Sequence, residues 1–146
     1  MHESGVPFDD ASGERLRAWM GVTREQFYDP SITAILPMGF CYPGTGKSGD
    51  LPPRKECAPL WREPLLAAMP NIELTLVIGQ YAMDWHMLDS QATTLTETVK
   101  NWRNTASSVL PLPHPSPRNN IWLKANPWFV QDVVPVLQMR VARILS

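Results

Sequence analysis

The chain has 146 residues, a formal net charge of −1 and 18% charged residues; this suits one domain with a single core and excludes a global basic field for holding nucleic acid. Any nucleic-acid partner must be met by a local patch. Two cysteines make no disulfide framework, and without a signal peptide or a long apolar run the chain is expected to be cytoplasmic, with no membrane partner.

Fifteen prolines and six tryptophans are the unusual counts. The prolines fall mostly between apolar runs, which predicts long shaped loops on a compact scaffold. The chain opens on Gly5-Val6-Pro7-Phe8-Asp9-Asp10, a loop by composition. Asp10 and Ser12 are suited to cap a helix carrying Leu16, Trp19 and Met20 on one face and ending at Gly21. Ile32 to Pro37, an apolar run bounded by Pro30 and Pro37, predicts a buried strand. Met38 to Glu56 is long, rich in glycine and proline, and carries Lys47, Arg54 and Lys55. Loops of that length in compact domains are usually functional or disordered.

Within it, Gly44-Thr45-Gly46-Lys47-Ser48 suggests a phosphate loop. That pattern needs a glycine where Cys41 stands, and a helix opening at the lysine where Gly49-Asp50-Leu51-Pro52-Pro53 comes next. The reading is rejected. Cys57 to Met69 predicts a helix, with Pro59 tolerable in its first turn and Pro64 kinking it. Leu74 to Gly79 is a continuous β-prone run of the kind that suits a parallel strand covered by helices. Helices are expected from Gly79 and over Leu95 to Trp102, a last strand at Leu110–Leu112, and an amphipathic helix over Trp128 to Leu145 despite Pro135. The alternation of strand and helix argues a three-layer α/β/α sandwich with a short parallel sheet, residues 1–146 forming one domain.

The last strand runs into Pro113-His114-Pro115-Ser116-Pro117-Arg118-Asn119-Asn120. The prolines stop the strand and stiffen the loop beyond it, so His114 is held at a strand's C-terminal mouth, where open α/β sheets bind ligands. The bland alternative is a proline-shaped loop with a solvated histidine.

Taken together, Gly5-Val6-Pro7-Phe8 with Ser12-Gly13, the Cys41 to Cys57 segment, Val77-Ile78-Gly79-Gln80-Tyr81-Ala82, and His114-Pro115-Ser116-Pro117 resemble successive blocks of the uracil-DNA glycosylase superfamily. The chain is most similar to the single-domain, iron–sulfur bacterial and archaeal branch. The resemblance implies a glycosylase that extrudes a nucleotide from DNA and hydrolyses the N-glycosidic bond of uracil or a related deaminated base, in base excision repair. By the same resemblance His114 would be the donor to the leaving base, Phe8 the face on which the base stacks, Ser116 a phosphate contact, and Arg118 a residue that enters the groove or replaces the flipped base. Against these stand Phe8 as core and Arg118 as a solvated charge. Asp9 and Asp10 are reserve candidates for activating water. The enzyme would act as a monomer.

Three departures accompany the resemblance. The stretch Leu36-Pro37-Met38-Gly39-Phe40 lacks the family's base-reading asparagine. Either a backbone amide near Met38 or Gly39 takes its place, or the chain selects another base, or it selects loosely. Cys41 and Cys57 match two of four cluster cysteines, so a 4Fe–4S cluster is expected only in a longer parent and none in this chain alone. The family's first strand, expected between Ile32–Leu36 and Leu74–Ile78 in the sheet, and its acid-containing loop would precede His2, so the chain is expected to be N-terminally truncated. The readings of other classes are a non-catalytic or truncated relative that binds nucleic acid or a protein, and a small-molecule-binding α/β domain with a proline-rich rim.

Overall fold

The structure, a computed structural model, describes residues 4–146. Expectations resting on Met1, His2 and Glu3, or on anything before them, lie outside the described residues.

Helix α1 (Ala11–Met20) begins where the Asp10 side chain accepts the Gly13 N–H at 3.0 Å and stops at Gly21, whose left-handed φ of 69° closes the last turn. Thr23 and Gln26 form a reciprocal capping box that opens α2 (Arg24–Tyr28). The segment after Pro30 corrects the sequence reading: residues 32–37 form no strand. A strand needs a ladder partner, whereas here the Leu36 and Pro37 carbonyls accept from the Arg62 guanidinium at 3.3 and 2.8 Å. The long loop instead contains a small antiparallel ribbon, β1 (Thr45–Gly46) and β2 (Gly49–Asp50), joined by Lys47 and Ser48.

Helix α3 (Cys57–Ala67) runs through Pro64, and then come β3 (Thr75–Ile78), α4 (Gln80–His86) and α5 (Leu95–Lys100), which tightens into a 3₁₀ turn over Asn101–Asn104. Strand β4 (Val109–Leu112) is next, and a 3₁₀ turn at Pro117–Asn119 leads into α6 (Asn120–Ala125). The expected terminal helix is split. A π-helical turn at Phe129–Val133, with the Val134 N–H bonded back to the Phe129 carbonyl, precedes α7 (Val134–Leu145). The wider turn lies just ahead of Pro135, in the first turn of α7, where a missing N–H is cheap.

The fold class is α/β with a short parallel sheet. β3 and β4 pair in parallel with Leu76 opposite Leu110 and Ile78 opposite Leu112. The Thr75 and Gly79 N–H groups donate to the Ser108 and Leu112 carbonyls, so alternate residues of β4 face β3 and Pro111 lies in the outward phase. Its lack of an N–H therefore removes no ladder bond. Leu110, Leu112, Val99, Phe129, Val133 and Leu137 are fully buried. Trp19 of α1 packs edge-on against Phe129 at 4.9 Å, and Trp122 does so from α6 at 5.8 Å. Half of the tryptophans thus join α1, α6 and the π-helical turn before α7 into one core, since Trp128 also packs on Phe129.

Candidate active site

The parallel strands end side by side, β3 at Gly79 and β4 at Pro113-His114. Pro113 and Pro115 are fully buried while His114 between them is exposed, so the backbone is anchored on both sides of a projecting ring. Gly79, at φ 82°, lets α4 start beside it: a Cβ there would lie 3.7 Å from the His114 Cβ. His114 Nδ1 accepts the Ser116 N–H at 3.2 Å. A neutral imidazole with an accepting Nδ1 carries its proton on Nε2. Although the residue projects to the surface, partial desolvation of its ring by the neighbours packed against it pulls the His114 pKa below the ordinary 6.5, opposed by the charge of Asp10. At neutral pH the group is thus an Nε2–H donor without charge.

The loop around it is over-determined. Asn119 donates to the His114 carbonyl at 2.7 Å, Ser116 Oγ accepts the Arg118 N–H at 3.2 Å, and Arg15 of α1 donates to the Ser116 carbonyl at 3.1 Å and to Asn120 Oδ1 at 2.7 Å. Ser116 therefore stabilises its own turn.

Phe8 is brought to His114, with ring centroids 6.2 Å apart and planes 26° from parallel. It is half-buried, in edge contact with Phe27 at 6.1 Å, and its φ of 58° is unusual for a side chain of that size. Three neighbours hold it. Tyr28 Oη donates to the Pro7 carbonyl at 2.8 Å, the buried Arg17 donates to the Phe8 carbonyl at 3.3 Å, and Gly13 leaves the space that carbonyl fills, for a Cβ at Gly13 would overlap the oxygen. Arg17 is sandwiched against Phe27 and Tyr28, 5.4 and 5.8 Å from their ring centres. Backbone strain maintained by its surroundings is a mark of functional positions.

The other candidates are more dispersed. Asp9 is ion-paired to Arg24 at 2.7 Å, which, with its hydrogen bond, holds the carboxyl below its ordinary pKa. Asp10 is taken up by the α1 cap. Met38 packs on the core, and Gly39 abuts Pro53 and Arg54. The segment leading to them is braced by Arg62, whose Nε also donates to His86 Nε2 at 2.9 Å; burial and the Arg62 charge pull the His86 pKa down. Arg118 lies against Gly49 of β2. Cys41 and Cys57 are both free and line one cavity of about 410 Å³ with Tyr42, Pro43, Arg54 and Glu56. Two thiols are half the donors of a four-iron cluster, and the described residues contain no group of three or more His, Cys, Asp or Glu that could hold a metal. The donors described here do not by themselves fit a cluster.

A wider cleft of about 930 Å³ opens at the Val109 end of β4, lined by His86, Asp89, Glu97 and Lys100. It contains none of the candidate residues. Phe8 and His114 meet at the opposite end of that strand. Arg15, Arg17, Tyr28 and Asn119 support that pair and were missed in the sequence; only Asn119, adjacent to the histidine motif, carried a local signal. No helix among the described residues is long and apolar enough to cross a membrane.

Phe8 and His114, from two separate sequence blocks, thus lie together at a parallel-strand mouth, and the sequence model of the uracil DNA glycosylase superfamily matches residues 1–138. That match spans both halves of the site and nearly the whole chain, and the chain belongs to the uracil DNA glycosylase superfamily.

Proposed function

We propose that this chain is a DNA glycosylase that hydrolyses the N-glycosidic bond of uracil or a related deaminated base. The observation that carries the reading is the His114 tautomer: Nδ1 is occupied by the Ser116 N–H, which leaves an uncharged Nε2–H donor beside the Phe8 ring. A base turned out of the stack would lie on Phe8, as aromatic platforms hold single bases. As the bond from base to sugar breaks, its electron pair moves into the base and collects on a carbonyl oxygen. A fixed donor at that oxygen is worth about 3–4 kcal/mol in the transition state. Water adds at the sugar carbon and gives up a proton, for which Asp10, whose charge acts on His114, is better placed than Asp9. Backbone amides near Met38 or Gly39 are the proposed readers of the base edge.

On uracil-containing DNA, His114→Ala should slow single-turnover base release at least 100-fold with little change in DNA affinity, since one transition-state donor is lost. Because the folded pKa lies below 6.5, the wild-type rate should hold at pH 7 and fall only on acidification past that value, as Nδ1 gains a proton and loses the Ser116 bond. Wild-type rates in the variant would remove His114 from the chemistry. A second reading, a relative that binds DNA without cleaving it, is favoured by one observation: Asp9 and Asp10 are both already engaged. Absence of base release at any pH, with DNA binding intact, would select it.

A further inference from the structure

The glycine-rich stretch that failed as a phosphate loop has a defined structure of its own. Thr45 pairs with Asp50 and Gly46 with Gly49, leaving Lys47 and Ser48 as a two-residue tip. The Leu51 N–H donates to the Gly44 carbonyl at 2.8 Å and closes the base of the ribbon. Tyr42 Oη bonds Thr45 Oγ1 at 2.6 Å and donates to Asp50 Oδ1 at 3.0 Å, so one oxygen of the ribbon's own carboxylate is engaged within the ribbon.

The second strand leans on the histidine loop. A Cβ at Gly49 would overlap Arg118 Nη1 and lie 3.2 Å from Cζ, and the φ of 129° there also favours glycine. The guanidinium therefore lies against the ribbon backbone, two residues from the exposed Lys47. Among the described residues the ion pairs are Arg24 with Asp9 and Arg54 with Glu56; Lys47 and Arg118 take part in neither. Arg118 is four residues from His114, and its N–H is fixed by Ser116. One short ribbon next to the histidine loop thus carries Lys47 at its tip and Arg118 against its second strand, two exposed cations without a carboxylate partner in those pairs, in a chain whose net charge of −1 supplies no general attraction for a polyanion.

We propose that the β1–β2 ribbon is a phosphate clamp. Lys47 and Arg118 grip the backbone of the DNA strand beside the extruded nucleotide, and Gly49 is required because it leaves the space that Arg118 Nη1 fills. The inference rests on the glycosylase reading for its substrate, but it concerns binding and is tested without the chemistry.

The test is the salt dependence of affinity for an undamaged DNA duplex, with base release from a uracil-containing duplex monitored in parallel. Each phosphate contact contributes close to one unit, about 0.9, to the slope of log affinity against log salt. Lys47→Ala should reduce the slope by about one. Arg143→Ala, the same charge change in the last turn of α7, should leave it unaltered. Gly49→Ala keeps every charge and should still lower affinity severalfold at fixed salt, whereas Lys47 is an exposed tip residue whose replacement leaves the fold intact. An unchanged slope in Lys47→Ala overturns the clamp, and so does an equal reduction in Arg143→Ala. A protein that shows the reduced slope but releases no base keeps the clamp and loses the glycosylase reading; one that releases base with an unchanged slope does the reverse.

Discussion

Gly13 shows how a single hydrogen can determine a site. In the first turn of a helix, alanine ordinarily improves on glycine by about 0.5–1 kcal/mol because the unfolded chain has less freedom to lose. Here the added methyl would overlap the Phe8 carbonyl oxygen and lie 2.6 Å from its carbonyl carbon, both backbone atoms that cannot rotate away. The sign should reverse: Gly13→Ala is expected to destabilise the protein by about 1–3 kcal/mol, the range for forced overpacking, and to displace the Phe8 ring from His114. Denaturant midpoints would check the first part and base release the second. A stabilised, active variant would mean that the Phe8 loop is not held as described. The buried Arg17 and the Tyr28 hydroxyl brace the same loop, which is why one strained φ persists there.

Among the elements, the segment before Met38 depends on α3. Arg62 is 6% exposed and supplies donors to the Leu36 and Pro37 carbonyls and to His86. Arg62→Ala leaves these acceptors without their partner, at roughly 1–3 kcal/mol for each one that water cannot reach. We expect a loss on the order of 3 kcal/mol, of which Arg62→Lys recovers less than half, because one ammonium cannot reproduce a fork of donors. Urea unfolding at unchanged m-value is the measurement. This brace also explains what was legible in the sequence and what was not. β3, β4, α1 and α7 arise from apolar runs and spacings that local chemistry enforces. Ile32 to Pro37 has the same composition as a strand, but its carbonyls go to a side chain some 25 residues later. α2 and α6, at five and six residues, are too short for periodicity and depend on caps and packing. The ribbon lacks alternation and an Asn-Gly turn. At the candidate site, His114 and Phe8 stand out from their motifs, whereas Arg15, more than a hundred residues from Ser116, does not.

For the whole molecule, the neutral histidines set the response to acid. Burial and then the Arg62 charge hold the folded pKa of His86 below its ordinary 6.5, so between those two values the unfolded chain binds a proton that the folded chain refuses. Stability from this source is complete above pH 6.5 and declines as pH falls toward the folded value. His114 acts in the same direction; carboxylates with lowered pKa values, such as Asp29, respond only in more acid solution. Thermal melts at pH 7.5 and 5.5 should show a drop that shrinks in His86→Asn, which retains an acceptor for Arg62 but cannot be protonated. An undiminished drop would place the acid sensitivity elsewhere. Pro111 has a consequence on the same scale. A strand at the border of a sheet ordinarily offers a row of free donors onto which another molecule's extended segment can zip. On β4 the outward-facing position in the middle of the strand has no hydrogen to offer, and its ring is fully buried, so that border is already covered by the molecule itself. The residue that costs nothing in the ladder therefore lets the chain's own side chains close over that border of the strand leading to His114 without burying an unpaired donor.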